Sequence, residues 1–446
     1  MRAVIWIVLV AAALRVAVVA YGGEAWLIAF EDDQRLYDAL AENLASGLGY
    51  RVGMPAFMIV LPGEPTAFWT PAFPLLLAGL YSVVGHSVLA ARAVLGVLAS
   101  LLTVVLFALG RRVAGPRVGL AAAVAVALHP LYVAYGGTLL SEGISVLLAA
   151  SVLLWVYRLL DEPSGRAAAA LGALVGLGGL TRPDILGLGA VVAVGSVAVW
   201  PGNRRSRLKL LWVSGLVAVA VVSPWLARNY QVYGRLLLTT RTGYSLWYQN
   251  PYQHQRLQYQ WSAEDARSRY AAAVEEDIRR IPAEPDRDRA LRDLGLEFIR
   301  HHPAAYARMA LKRVYATFPF LPESVRERLW PAVQRFLFGR DAVVRVDLAT
   351  ELHRPRLLAL ADGLTLPLIV LAVVGVWASR RDWRRVAPLV IAVAYYVALA
   401  AVLVGNPRIR LNVEFAVVLL AVLGGRAVVN RGGARADRSP IARSAE

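Results

Sequence analysis

The sequence predicts an all-α polytopic membrane protein, with about ten transmembrane helices, short interfacial helices and a partly helical outer loop region. Three observations predict it. Hydrophobic residues make up 58% of the 446, and mean hydropathy is +0.51. Apolar runs near the roughly 20 residues that a bilayer core requires recur along the chain. The formal charge of +17 falls in short loops between those runs, which is the pattern of membrane topology and not of nucleic-acid binding. The period-two alternation of a membrane β-barrel is missing. Cysteine is absent, which excludes disulfides, thiolate catalysis and cysteine-bound metals.

The spans fall at about 3–22, 87–110, 118–135, 139–157, 167–181, 185–200, 209–227, 357–378, 386–404 and 411–429. The first run could pass for a signal peptide. Arg15 interrupts it and it continues to Phe30, which favours a retained helix. The apolar stretch Pro71–Gly85 reaches only about 22 Å at 1.5 Å per residue, short of a ~30 Å core. It reads as a half-inserted or interfacial helix. With the N-terminus inside, nineteen Arg and Lys lie on inward segments. Outside the long loop, five lie outward: Arg35, Arg51, Arg182, Arg408 and Arg410. That bias fits the positive-inside rule. Residues 1–431 read as one transmembrane domain with outer loops at 23–86 and 228–356. The Arg-, Gly- and Ser-rich tail 432–446 reads as a disordered cytoplasmic extension.

This topology puts the loops of unusual chemistry on one side. "EDDQRLYDALAENLASGLGY" begins at Glu31. Leu36, Leu40 and Leu44 form an apolar stripe at helical spacing, and Gly47 and Gly49 end the helix. Asp33 suits a helix N-cap; it equally suits a general base at the membrane boundary, with Asp32 in reserve. Tyr37, four residues on, shares its face. Glu142 stands at the outer end of a span, where a carboxylate is costly to desolvate. Arg182, Arg408 and Arg410 stand on the outside against the topology rule, and guanidinium forks suit phosphate. Arg15 within the first span calls for a partner or a phosphate, unless it snorkels. Arg228 follows another span. His129 before Pro130 reads as a polar group at a helix kink, and His301–His302 as a solvated helix end. No nucleotide, zinc-protease or serine-hydrolase motif is present.

Seven stretches in order are "DQRLYDALAENLASGLGY" (Asp33), "PTAFWTPAFPLLLAGLY" (Pro65), "HPLYVAYGGTLLSEGISVLL" (His129), "TRPD" (Thr181), "SPWLARNYQVYG" (Ser223), "HHPAAYARMALKRV" (His301) and "NPRIRLNVE" (Asn406). Together they resemble the bacterial GT-C membrane glycosyltransferases, in particular the glycosyltransferase family 39-like group related to protein O-mannosyltransferases and the aminoarabinose lipid A transferase. The resemblance implies inverting transfer of a sugar from a polyprenyl-phosphate carrier to an acceptor hydroxyl of glycan, lipid or protein, on the outer face of a bacterial cell membrane. It implies Asp33 or Asp32 as base, and Glu142, Arg182, Arg408, Arg410, Arg228, Arg15, Tyr37 and His129 as substrate-binding residues. Two departures stand out: Gln34 replaces a second acid, and Asn412 stands where relatives often have proline. A divalent ion, Mg or Mn, bridging carboxylate and phosphate is left open. The alternative is a lipid or lipid-linked sugar transporter using the same arginines without transfer chemistry. Transporters usually place their sites near midplane and show internal repeats; neither pattern is evident here.

Overall fold

The computed structural model describes residues 2–22, 31–258, 267–319 and 356–436. Among them the regular structure is helical, with two isolated bridges, Arg51 to Pro65 and Ala56 to Val60, in the loop 46–71. The helices are α1 (Arg2–Gly22), α2 (Glu31–Ala45), α3 (Ala72–Val84), α4 (Val88–Ser100), α5 (Leu102–Ala114), α6 (Pro116–Leu128), α7 (Pro130–Gly136), α8 (Glu142–Asp161), α9 (Gly165–Thr181), α10 (Asp184–Val199) and α11 (Arg204–Tyr233). Beyond them lie α12 (Thr242–Trp247), α13 (Gln253–Gln258), α14 (Ala272–Arg279), α15 (Glu284–His301), α16 (Pro303–Thr317), α17 (Arg356–Ala378), α18 (Ala387–Val402) and α19 (Pro407–Ala436).

The predicted count of ten spans is not reached on length. Among the described residues six helices are long and apolar enough to cross a membrane, or seven if the pair Pro116–Leu128 and Pro130–Gly136, bent by 57°, counts as one. The other three predicted spans match α9, α10 and α18, which have 17, 16 and 16 residues. At 1.5 Å per residue these extend only about 24–26 Å. The chain is a multi-pass membrane protein whose helices differ in length. The stretch at Pro71 forms α3, of 13 residues.

Local sequence explains the elements that carry the site. The break between α6 and α7 falls at His129, extended at ψ 120°, because the residue before a proline is pushed out of helical geometry. Helix α2 buries Leu36 and Leu40 and exposes Arg35, as its stripe predicts. Its end passes through Gly47 and Gly49 at φ 75° and 84°, where glycine carries no Cβ penalty. The helix starts at Glu31, so Asp33 sits in the first turn and is not the N-cap. Tyr37 packs edge-on against Phe73 of α3 at 4.9 Å, and Tyr81 donates to Asp38 at 2.5 Å. These contacts fix α2 against α3.

Helix α19 is anchored along α17 by close backbone approach. A Cβ on Gly424 would lie 1.9 Å from the Leu371 carbonyl oxygen, so only glycine allows this separation. The segment 234–319 is tied to the loop 46–71 by buried charge. Glu284 accepts from the Ala67 amide at 2.7 Å and from Thr240 at 2.5 Å. Arg287, fully buried, donates to the Ile59 carbonyl at 2.7 Å and to Glu64 at 2.9 Å. Each buried polar side chain here has a partner, which limits the cost of taking it out of water.

Candidate active site

One end of the helix bundle gathers side chains from segments far apart in sequence. Arg408, at the start of α19, donates through Nη1 to Asp33 of α2 and through Nε to Glu142 Oε1 of α8, the latter at 2.7 Å. Arg182, between α9 and α10, donates through Nη1 to the same Glu142 oxygen at 3.0 Å and through Nε to Asp184 at 3.2 Å. The other Asp184 oxygen accepts from Tyr396 at 2.9 Å and from Asn412 at 3.1 Å. Asn412 in turn accepts from Ser145 at 2.8 Å. Asn412 is thus the amide that joins α8, α10 and α19.

Exposure is graded. Glu142 is at the bottom with 0% of its side chain exposed, while Asp33, Arg408 and Arg182 retain 12%, 19% and 22%. A buried carboxylate is tolerable because two guanidinia neutralise it. The two arginine side chains are therefore not sealed from solvent. Burial pushes the Asp33 carboxyl up, but the guanidinium of Arg408, with Arg241 and Arg182 nearby, outweighs burial and holds it below its usual value.

Four predicted residues therefore converge: Asp33, Glu142, Arg182 and Arg408. Tyr37 lies alongside, buried against Phe73 and Trp69 and hydrogen-bonded to Ser141. Gln34, read as a departure from the family pattern, accepts from the Leu139 amide at 2.9 Å and so ties α2 to the loop before Glu142. The Asp32 side chain lies outside the described residues. Four predicted residues belong to other environments. Arg228 donates to the Thr66 carbonyl at 2.9 Å and stacks 5.0 Å above Trp225, clamping the first outer loop. Arg410 is fully buried between Thr365, Asp362 and Glu414, and His129 lies 3.5 Å from Glu414. Arg15, buried, donates to the carbonyls of Ala11 and Val126.

Sequence reading missed Asp184 and Arg241. Asp184 stood in the quoted "TRPD", and an acid two residues from a misplaced arginine was an available signal. Arg241 had none, because it sits in a long polar loop; it lies over Phe68 at 5.2 Å and faces Asp33 electrostatically. Among the described residues the donor set is not that of a divalent-cation site. Asp33 and Glu142 already share Arg408, and among the described residues no three His, Asp or Glu side chains converge.

Comparison with known proteins agrees with this architecture. A family described as dolichyl-phosphate-mannose-protein mannosyltransferase matches residues 65–227. No curated protein sequence matches the chain. The apo oligosaccharyltransferase of Archaeoglobus fulgidus is similar in structure, with a TM-score of 0.55 and 16% identity, over 96% of this chain and 51% of that one. The Archaeoglobus fulgidus enzyme AglB, solved with an inhibitory peptide and a dolichol-phosphate, gives 0.52 and 16% over 96% and 50%. ArnT from Cupriavidus metallidurans, bound to undecaprenyl phosphate, gives 0.39 and 16% over 92% and 77%. The chain spans about half the length of the oligosaccharyltransferase structures it matches. The likeness is one of fold, shared with the Archaeoglobus fulgidus oligosaccharyltransferase.

Proposed function

We propose that this chain is an inverting glycosyltransferase that moves a sugar from a polyprenyl-phosphate carrier to an acceptor hydroxyl at the outer membrane face. The observation that carries the reading is the Arg408 fork, which holds Asp33 and Glu142 together while part of the Arg408 side chain still meets solvent. A base and a phosphate-binding cation thus stand side by side, from three segments that only folding unites. The family match and the shared fold support lipid-linked donors in general.

In this reading the acceptor oxygen attacks the anomeric carbon. The new carbon–oxygen bond forms as the bond to the carrier phosphate breaks, through an oxocarbenium-like state. The acceptor proton passes to Asp33. The departing phosphate charge is received by Arg408 and Arg182, preorganised by Glu142 and Asp184. Arg408 has a double task. In the free protein it suppresses the basicity of Asp33. An incoming phosphate competes for the same guanidinium, and as Arg408 turns toward it the Asp33 carboxylate becomes more basic. Binding of donor would then switch on the base.

Asp33→Asn in a transfer assay with a polyprenyl-phosphate sugar should lower the rate by about 10²–10⁴-fold, the usual worth of general-base catalysis. A rate within about tenfold of the parent would remove Asp33 from the role. The absence of cysteine makes the sidedness easy to check. Single cysteines at Ser46, just past the C-terminal end of α2, and at Ser379, at the C-terminal end of α17, should label from opposite sides of sealed membranes. Labelling of Ser46Cys from the cytoplasmic side would overturn the outer-face assignment.

A further inference from the structure

The end of the helix bundle opposite the candidate active site has a chemistry of its own. Glu142 opens α8 at the site, and Asp161 closes the same helix at the far end. Asp184 opens α10 at the site, and Trp200 follows its last residue. The short link between α17 and α18, Arg380–Arg385, is held at that far end. Tyr157 of α8 donates to the Arg385 carbonyl at 2.6 Å, and the Trp200 ring meets Tyr157 edge-on with centroids 6.1 Å apart. An open cleft of about 610 Å³ lies here, lined by Asp161, Trp200, Pro201 and residues 381–385. Pockets that take small ligands run from roughly 300 to 1,000 Å³.

Charge at the cleft is unbalanced in favour of an anion. Arg112 of α5 donates to Asp161 at 2.6 Å and so neutralises it. Arg207, 8% exposed, donates to the Leu160 carbonyl at 2.8 Å and the Pro201 carbonyl at 2.6 Å. The C-terminal end of a helix carries roughly half a negative charge, so Arg207 answers the partial charges that would repel an anion. Arg381, Arg384 and Arg385 then face only Asp382. Asp382 stands 3.9 Å from Arg385, too far for a hydrogen bond. Arg381 and Arg384 are exposed and have no hydrogen bond or ion pair among the described residues. The positive-inside rule accounts for arginines in such a link. It does not account for a cleft, or for the two indoles in it. Trp383 is 47% exposed and Trp200 half-buried, and an indole, apolar in body with one polar N–H, suits the level of lipid headgroups.

We propose that this cleft binds the phosphate headgroup of an anionic membrane lipid, with Arg381 and Arg384 on the phosphate and Trp200 and Trp383 beside its apolar part. The guanidinium fork matches phosphate oxygens, and basic pockets between the ends of membrane helices are suited to anionic headgroups. A bound headgroup bridges the α17–α18 link to the ends of α8 and α10. The site is remote from Asp33 and Arg408 and rests on its own geometry, so it stands or falls independently of the transfer reaction.

The test is binding of fluorescent phosphatidylglycerol and fluorescent phosphatidylcholine to the purified full chain in uncharged detergent. Phosphatidylglycerol should bind saturably and phosphatidylcholine much more weakly. Arg381→Gln and Arg384→Gln should each weaken phosphatidylglycerol binding about fivefold, the worth of one basic residue at an anionic surface. Arg204→Gln with Arg205→Gln is the control. Both residues are exposed at the start of α11, at the same end of the bundle, and neither lines the cleft. That pair should leave binding unchanged. All four positions are on the surface, where substitution seldom affects folding, and melting temperatures without lipid check this.

Equal weakening by the cleft pair and the control pair would reduce the cleft to a generally basic surface and overturn the proposal. So would equal affinity for the two lipids. Excess inorganic phosphate should leave the lipid bound, because phosphate alone lacks the apolar part that meets the indoles. Displacement by inorganic phosphate would assign the cleft to a soluble anion and refute the lipid.

Discussion

Arg408 and Arg410 stand two residues apart on α19 and live in opposite worlds. Arg408 is partly exposed and divides its guanidinium between Asp33 and Glu142 on segments brought from elsewhere. Arg410 is fully buried, donates to Thr365 at 2.6 Å, and sits 3.6 Å from Asp362 and 3.3 Å from Glu414. Residues two apart on a helix face different directions, so one turn of α19 presents a cation to each of two acid clusters. Arg408 can exchange partners, since an anion from outside can compete for it. Arg410 cannot, and its cluster holds α19 against α17. The same residue type is thus partly open to solvent in one place and sealed into packing in the other.

The largest effect should come from the buried side. Arg410→Met leaves Asp362 and Glu414 buried with less compensation, and should cost about 3–5 kcal/mol of stability, read as a fall in melting temperature in detergent. Whatever protein survives should bind donor with a KM near the parent's. A large rise in donor KM with unchanged stability would erase the distinction between the two arginines.

Arg408→Ala should invert that outcome. Transfer should fall by about 10²–10³-fold, the worth of one preorganised donor to developing negative charge. Stability should fall less than for Arg410→Met, because Arg182 still holds Glu142 and Asp33 can reach water. Equal losses of stability in the two variants would break the comparison.

A smaller effect should come from the outer edge of α2. His86 lies 3.0 Å from Asp38, and that hydrogen bond raises its imidazole pKa above the usual value. Protonated His86 ties the end of α3 to α2, the helix that carries Asp33. A raised folded pKa means this contribution is complete below about pH 6.5, the unfolded value, and is lost as pH rises through the folded value. His86→Gln should flatten the pH dependence of the melting temperature on that side of neutrality and leave the acid side unchanged. A parent protein whose melting temperature rises with pH through this window would contradict the contact.

The smallest effect supplies the baseline. Arg280 pairs with Glu276 on the outer segment, with both side chains about two-thirds exposed. Arg280→Ala should change stability by no more than about 0–1 kcal/mol and leave transfer unaltered. A larger loss would mean that the outer segment transmits strain to the site.

Much of the site was readable before the fold was known, for a reason that concerns membranes. Glu142, Arg182 and Arg408 were conspicuous because charge at the outer end of a span is costly or runs against topology. Asp33 was conspicuous because it opens an amphipathic helix after an apolar run. Those signals report that a residue needs a partner and not which one. Arg410 and Arg15 raised the same flag and proved to face inward, where carboxylates and carbonyls of neighbouring helices meet them. The partner that decides Arg410 is Asp362, an isolated acid inside the span 357–378 whose role only the packing of α17 on α19 reveals. Arg228, Glu284 and Arg287 likewise became legible once the outer segment was seen docked on the first outer loop.

Composition and local pattern were enough to dictate helices, their approximate places and the crowding of unusual charge at the ends of spans, because hydrophobic transfer and loop charge act on each segment separately. Which charges meet, which remain open to an anion, and which are sealed inside depended on how α2, α8, α10, α17 and α19 close around one another. Ion pairing is a property of position in three dimensions: moving a guanidinium from solvent to a buried carboxylate changes its role without changing its neighbours in the chain.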